Sequence, residues 1–427
     1  MYRWRCAQVV CLLLIHGVAW SADVEVSAAK HARMKLCICP IGGGQQLADV
    51  AERVKADLAF SEQFEVTVQK HAAVPSKEEM KQVGAPLALF IAEAGGALNW
   101  WLYDTLGPTM IKARRSAKRS SSWRWWAHNL ADAVWPVLTG KESSFSSKIA
   151  YCKDTKQARS VRRTTCLCVA DFDGTNERSV VDLPTVNVAP RWNRDSTTPL
   201  LFYSEYTRGN VRLMAVDADG ARRKISNFDG INMLPSFSCD GAKVVYCASR
   251  DDATCQLYLC ENNKLEKLTH NSGTNISPAL DTDGSTLFYC SDTDLQAPQI
   301  YRMSLADRTC QRLTNGGSHG SLSFSAKRGL LAYTKRVNGI MQLFTFDPKT
   351  NAHTQLTFDQ TNKHECSWSP CGNKLVFAIM RGSSGRLACL DLATKSQRYL
   401  TAQGVSAGYP SWSALLTRGF EPSGQVA

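Results

Sequence analysis

The stretch HECSWSPCGNKLVFA, residues His364 to Ala378, reads as strand, tight turn, strand. A large apolar residue, Trp368, stands in a run of small ones. Pro370, Cys371 and Gly372 then reverse the chain, and Leu375, Val376 and Phe377 begin the return strand. The pattern recurs on both sides. Its central apolar position falls at Trp192, Phe237, Leu280, Phe324, Trp368 and Trp412, at intervals of 45, 43, 44, 44 and 44 residues.

Two further registers keep the same step. The return-strand aromatic falls at Tyr151, Tyr203, Tyr246, Tyr289, Tyr333 and Phe377, and its one long interval, the first at 52, implies an insertion there. Leu268-Thr269, Leu313-Thr314, Leu356-Thr357 and Leu400-Thr401 close successive units. A period of about 40 to 45 residues with four short strands per unit is the signature of a β-propeller, because one such sheet buries both faces only when neighbours stack on it. The first repeat enters at Ile149 on what should be a second strand, and the last segment, Tyr409 to Ser413, has no return strand. The two chain ends are therefore expected to share one blade and close the ring, leaving no exposed sheet edge.

Working outward, 427 residues exceed one core, and more than a hundred precede the repeats. Hydrophobic content of 44% and charge of 21% fit a globular chain. Arg3 and Arg5, an apolar run from Val9 to Ile15 and the small-residue site Ala19-Trp20-Ser21 read as a secretory signal peptide over 1–21. Removing those two arginines takes the net charge from +12 to +10, a surface suited to acidic partners; export and the absence of a nucleic-acid module argue against nucleic acid. Residues 22–34 read as a flexible N-terminal segment, 35–145 as an α/β domain, 146–416 as a six-bladed β-propeller and 417–427 as a C-terminal tail.

In the α/β domain, strands are expected over Lys35 to Ile41, Phe64 to Gln69, Leu87 to Ala92, Ala97 to Leu106 and Thr109 to Ala117. Helices are expected over Leu47 to Phe60, over Lys77 to Val83 after an N-cap at Ser76, and over Trp123 to Leu138 with Gly140 as C-cap. Lys112, Arg114, Arg115, Lys118, Arg119 and Arg124 make a basic run beside Trp123, Trp125 and Trp126. It reads as a solvated strand face with tryptophans packing a helix, the alternative being an anionic-surface or partner site. Fourteen cysteines outlast the signal, and oxidising export predicts packed thiols mixed with a few disulfides. Cys37 with Cys39, and Cys166 with Cys168, each share a strand face.

Catalytic motifs are weak. Gly42-Gly43-Gly44 lacks the spacing of a phosphate loop. Gly316-Gly317-Ser318-His319-Gly320 matches G-x-S-x-G, but the repeat demands an inter-blade loop where a nucleophile elbow needs strand then helix. His364, Cys366 and Cys371 lack a metal framework. The Asp-Gly pairs at Asp173, Asp219, Asp240 and Asp283 serve hairpins. Neither catalytic residue, metal nor cofactor is expected.

The segment AHNLADAVWPVLTGKESSFSSKIAY, Ala127 to Tyr151, resembles the segment joining the two domains of TolB proteins, the periplasmic propellers of the Tol-Pal envelope system. Ala127-His128, Ala131-Asp132, Leu138-Thr139-Gly140, Phe145 and Ile149-Ala150-Tyr151 carry the likeness; Pro40-Ile41, Ala56-Asp57-Leu58, Ser61 and Phe64 echo the family's first domain. The resemblance implies a non-enzymatic periplasmic adaptor, peripheral to the envelope, that supports outer-membrane integrity and invagination during cell division. It further implies that the peptidoglycan-associated lipoprotein Pal binds at one channel mouth, and TolA at the N-terminal segment through Asp23, Val24, Glu25 and Val26. Loops leading into the innermost strands place Asn187, Asn232, Met233, Asn275, Ile276, His319, Asn362, Lys363, Ser406 and Ala407 at that mouth. Other outer-membrane or peptidoglycan-associated proteins are further possible partners. The rival reading is an exported propeller binding or processing a small glycan or peptide.

Overall fold

The computed structural model describes residues 33–42, 44–118, 122–155, 164–226, 228–250, 253–294, 297–417 and 420, with backbone alone at 116–118. The signal peptide and Asp23 to Val26 lie outside the described residues, as does Arg119. No helix among the described residues is long and apolar enough to cross a membrane.

The first domain is a five-stranded mixed sheet in the order β2-β1-β3-β4-β5. Its strands are β1 Met34–Pro40, β2 Phe64–Val68, β3 Leu87–Ala94, β4 Ala97–Asp104 and β5 Thr109–Lys118. β1 is parallel to β2 and β3, so both faces of it need cover. Helix α1, Gln45–Phe60, gives one cover: Leu47, Val50, Ala51, Val54 and Leu58 recur at helical spacing and are buried. The single-turn α2, Lys77–Met80, is held by a capping box between Ser76 and Glu79, and it ends before the expected Val83. β4 stops at Asp104, two residues early, because Asp104 Oδ1 takes the N–H groups of Leu106 (2.8 Å) and Gly107 (3.3 Å) and turns the chain. Helix α3, Trp123–Thr139, starts at Ser122 and ends on left-handed Gly140 (φ 69°).

Six four-stranded antiparallel sheets follow. In the closing one, Ala407–Trp412 pairs with β6, Lys148–Thr155, which continues into β7, Thr164–Asp171, and β8, Arg178–Val181. The chain ends do share one blade. Thr155 pairs with Thr164, so the long first interval lies in the β6–β7 connection. Return-strand aromatics from Tyr151 to Phe377 are all buried between blades. The Leu-Thr register has a hydrogen-bonding cause: Thr269, Thr314, Thr357 and Thr401 each accept, through Oγ1, an N–H of the strand before (2.9, 2.9, 2.9 and 3.1 Å).

The domains are bolted by buried charge. Asp171, at the end of β7, receives Lys148 Nζ (2.5 Å), Arg124 Nη2 (2.7 Å) and His128 Nε2 (3.2 Å). His128 Nδ1 reaches Asp57 Oδ2 at 2.8 Å, and Arg53 joins Asp57 (2.6 Å) to Asp173 (2.5 Å). Asp57, Asp171 and His128 are almost wholly buried. Asp132 of α3 adds a further tie, accepting the N–H groups of Phe145 and Ser146, both at 2.9 Å.

All fourteen described cysteines are thiols, so the expected disulfides are absent among the described residues. Twelve of the fourteen are buried or half-buried, Cys239 and Cys310 being exposed, and most fill small-residue slots between strands. The basic run also divides. Lys112, Arg114 and Arg115 are exposed on β5, an edge strand, whereas Arg124 enters the charge cluster. Trp126 is buried, and Trp125 Nε1 donates to Leu416 O across the domain boundary (3.2 Å).

Candidate functional site

Six innermost strands line the channel: Val186–Trp192, Asn232–Phe237, Asn275–Leu280, His319–Ser325, Asn362–Trp368 and Ala407–Trp412. Each carries a β-bulge against its second strand. At each bulge a non-glycine residue has left-handed backbone: Ala189, Leu234, Ser277, Ser321, Glu365 and Tyr409, with φ between 53° and 57°. Such residues cost about 1–3 kcal/mol each and persist only where surroundings over-determine them. Proline follows at 190, 235, 278 and 410. Proline inside a strand belongs at an edge or a bulge, so this signal was available in the sequence.

Below the bulges the strands are stitched blade to blade. Ser411 Oγ accepts from Trp192 N (3.4 Å), Ser236 from Leu280 N (3.0 Å), Ser323 from Trp368 N (3.3 Å) and Ser367 from Trp412 N (2.9 Å). Each link spans the boundary between blades.

The two mouths differ. The entry side holds a cavity of about 300 Å³ lined by Cys152, Asp154, Tyr206, Glu365, Met380 and Tyr409 among others. Glu365 Oε2 accepts from Tyr409 N at 2.6 Å, and burial pushes its carboxyl above the ordinary range. The exit side holds a cavity of about 310 Å³ with Arg191, Arg194 and Lys327 in its wall and no carboxylate.

Of the ten residues expected at the entry mouth, Ser406 and Ala407 line its cavity. Asn187, Asn232, Asn275, His319 and Lys363 are buried and engaged. Asn187 donates to Thr165 O (3.2 Å), Asn232 to Phe228 O (2.9 Å) and Asn275 to Gln256 Oε1 (3.0 Å). His319 Nδ1 faces Pro298 O at 3.3 Å, and burial pulls its imidazole down to about 4, so it is neutral at pH 7. Lys363 Nζ donates to Thr361 O (2.8 Å) and pairs with Asp359. Asn362 is half-buried and accepts from Met341 N (2.9 Å); Met233, Ile276 and Ser406 are also half-buried. These polar side chains splice each inner strand to the preceding blade, which satisfies backbone groups that a loop would otherwise strand.

The G-x-S-x-G stretch runs directly into an innermost strand from His319 to Ser325, with no helix after it. Cys366 Sγ donates to Ser321 O (3.0 Å), and Cys371 Sγ contacts Ser369 and Ser144, so these two thiols serve different packing sites.

Six blades, a ring closed by the chain's own last strand and an α/β domain clamped to the closing blade define a two-domain β-propeller protein. The family model described as the TolB beta propeller domain matches residues 135–416, and the chain belongs to that family. The Tol-Pal system protein TolB of Gluconobacter oxydans is 27% identical over 240 residues, covering 54% of this chain and 51% of that protein. That of Xanthomonas oryzae pv. oryzae is 26% identical over 251 residues, 54% and 56% of the two chains. The chain thus spans about half the length of the curated relatives it matches. The crystal structure of TolB from Acinetobacter baumannii shares the fold, with a TM-score of 0.74 at 23% identity over 90% of this chain and 97% of that one.

Proposed function

We propose that this chain is a non-enzymatic periplasmic adaptor of a Tol-Pal system. It binds the lipoprotein Pal at the entry mouth of its channel and TolA through the segment containing Asp23, Val24, Glu25 and Val26. Membership of the TolB propeller family carries the reading, supported by relatives titled Tol-Pal system protein TolB. The docking surface is made less by the buried asparagines than by what stands around them: half-buried Met233, Ile276, Asn362 and Ser406, with Tyr409 partly exposed at the rim. A rim of this kind, mixed apolar and polar around a depression, suits a protein partner. In this scheme the N-terminal segment holds either TolA or the body of its own molecule, and that choice alters affinity for Pal. Coupling of this kind is reciprocal, so Pal weakens TolA engagement by the same factor that TolA weakens Pal.

The test is the affinity of the mature protein for its cognate Pal, with and without residues 22–33. Tighter binding on removing the segment is the expected result. Absence of binding in both forms would overturn the adaptor reading.

A further inference from the structure

At the level of the serine stitches, the six inner strands present one ring of side chains to the exit cavity: Arg191, Ser236, Ala279, Ser323, Ser367 and Ser411. Each of the four serines already accepts a backbone N–H from a neighbouring blade. Each hydroxyl keeps its proton and one lone pair, and among the described residues no protein acceptor takes the proton. The guanidinium in the same ring donates once, from Nη1 to Pro190 O at 2.8 Å, and has no ion-pair partner among the described residues. Burial lowers its pKa from the ordinary arginine value, and Glu365, a bulge residue in the wall of the entry cavity, acts in the opposite sense.

A cavity wall of four hydroxyl protons and an under-used guanidinium, with no carboxylate, is a surface of converging donors. A cation is repelled there by the guanidinium, and a ligand without acceptors leaves the donors unmatched. An oxyanion gains several charge-assisted hydrogen bonds there. From this ring we infer that the exit mouth of the channel is a binding site for a small oxyanion-bearing ligand, a carboxylate or phosphate group seated on Arg191 and the serine hydroxyls. Arg194 and Lys327 extend positive potential outward from the same cavity. Their charges are partly committed, Arg194 to Cys239 Sγ and Leu280 O, and Lys327 to Glu142, so they favour entry of the anion more than they grip it. The volume, about 310 Å³, admits a metabolite-sized group or the anionic tip of a larger molecule. This site lies at the opposite mouth from the proposed Pal surface and is independent of it.

The experiment is titration of the intact mature protein with inorganic phosphate and with acetate, by calorimetry and by thermal shift, at ionic strength matched with chloride. Saturable binding is expected for both, phosphate the tighter. Arg191→Met is expected to weaken phosphate at least about tenfold, while Lys327→Met changes it less than about threefold. If Arg191→Met does not fold, Arg191→Lys keeps the charge but loses the planar fork, and weaker phosphate binding is again expected. No binding by the unaltered protein beyond the chloride control would overturn the proposal. So would full affinity in whichever Arg191 variant folds.

Discussion

At the residue scale, Asp171 gathers three basic side chains onto one carboxylate. It is wholly buried and takes Lys148, Arg124 and His128, from the closing blade and from α3. Burial opposes its charge, but His128 and Lys148 outweigh that and hold its carboxyl far below the ordinary range. Removing one member of a buried charged group costs more than the group contributes as a whole, because the partners stay desolvated and unpaired. Asp171→Ala is therefore expected to lower stability by about 3–5 kcal/mol, read by urea denaturation. A loss below about 1 kcal/mol, the scale of an exposed pair, would show that solvent reaches the cluster. The cluster also shows where sequence reading stops. Asp173 reads as a hairpin aspartate beside glycine, and it is one, yet it also holds Arg53 from a helix 120 positions earlier. Nothing local marks that second role.

At the scale of elements, the last strand closes the ring. Ala407–Trp412 pairs with β6 on one side, Trp412 N donates to Ser367 Oγ of the preceding blade, and Trp412 Nε1 reaches Ser147 Oγ at 2.7 Å. Truncation before Tyr409 removes all but the first two residues of the inner strand of the closing blade and exposes most of the edge of β6. The expected outcome is loss of the cooperative propeller transition, with a fall in Tm of more than about 10 °C, since each kcal/mol shifts Tm by about 2–4 °C in a domain of this size. An unchanged melting curve would mean that the other blades hold the ring without it. The six bulges belong to this scale too. Their prolines were legible in the chain, but that each bulge turns a non-glycine residue left-handed at one level of the channel follows only from the paired second strand.

At the scale of the whole molecule, the two domains are joined through an imidazole. The cluster has three carboxyl groups, Asp57, Asp171 and Asp173, and three basic side chains, Arg53, Arg124 and Lys148, before His128 is counted. Burial alone would neutralise His128, but the fields and hydrogen bonds of Asp57 and Asp171 prevail and raise it to about 9. A folded pKa above the unfolded value of about 6.5 contributes stability that is complete below about pH 6.5 and is lost as pH rises through 9. The size is about 3 kcal/mol at most. Calorimetry is expected to show α/β domain and propeller melting together near pH 6 and drawing apart above pH 9.5. His128→Asn is expected to remove that dependence, and a pH profile identical in variant and parent would exclude the histidine as its source.

The chain alone determined the propeller, its six units, the shared closing blade and the helices of the first domain. Those features rest on short-range physics: hairpin turns, a period-two strand and a 3.6-residue helix repeat, each written within a few residues, and a repeat long enough to count. The tertiary structure alone decided what the polar residues do. Asn187, Asn232 and Asn275 read as loop residues at the mouth; they stand at the starts of inner strands and are buried splints because the preceding blade folds over them. Asp57 and His128, 71 positions apart, meet because a helix of each crosses the same sheet face. Arg191 stands in a ring of hydroxyls supplied from strands 45 or more residues away. Periodicity says which face of its own sheet a residue takes; whether that face meets water, a partner or a neighbouring blade depends on contacts between segments distant in the chain.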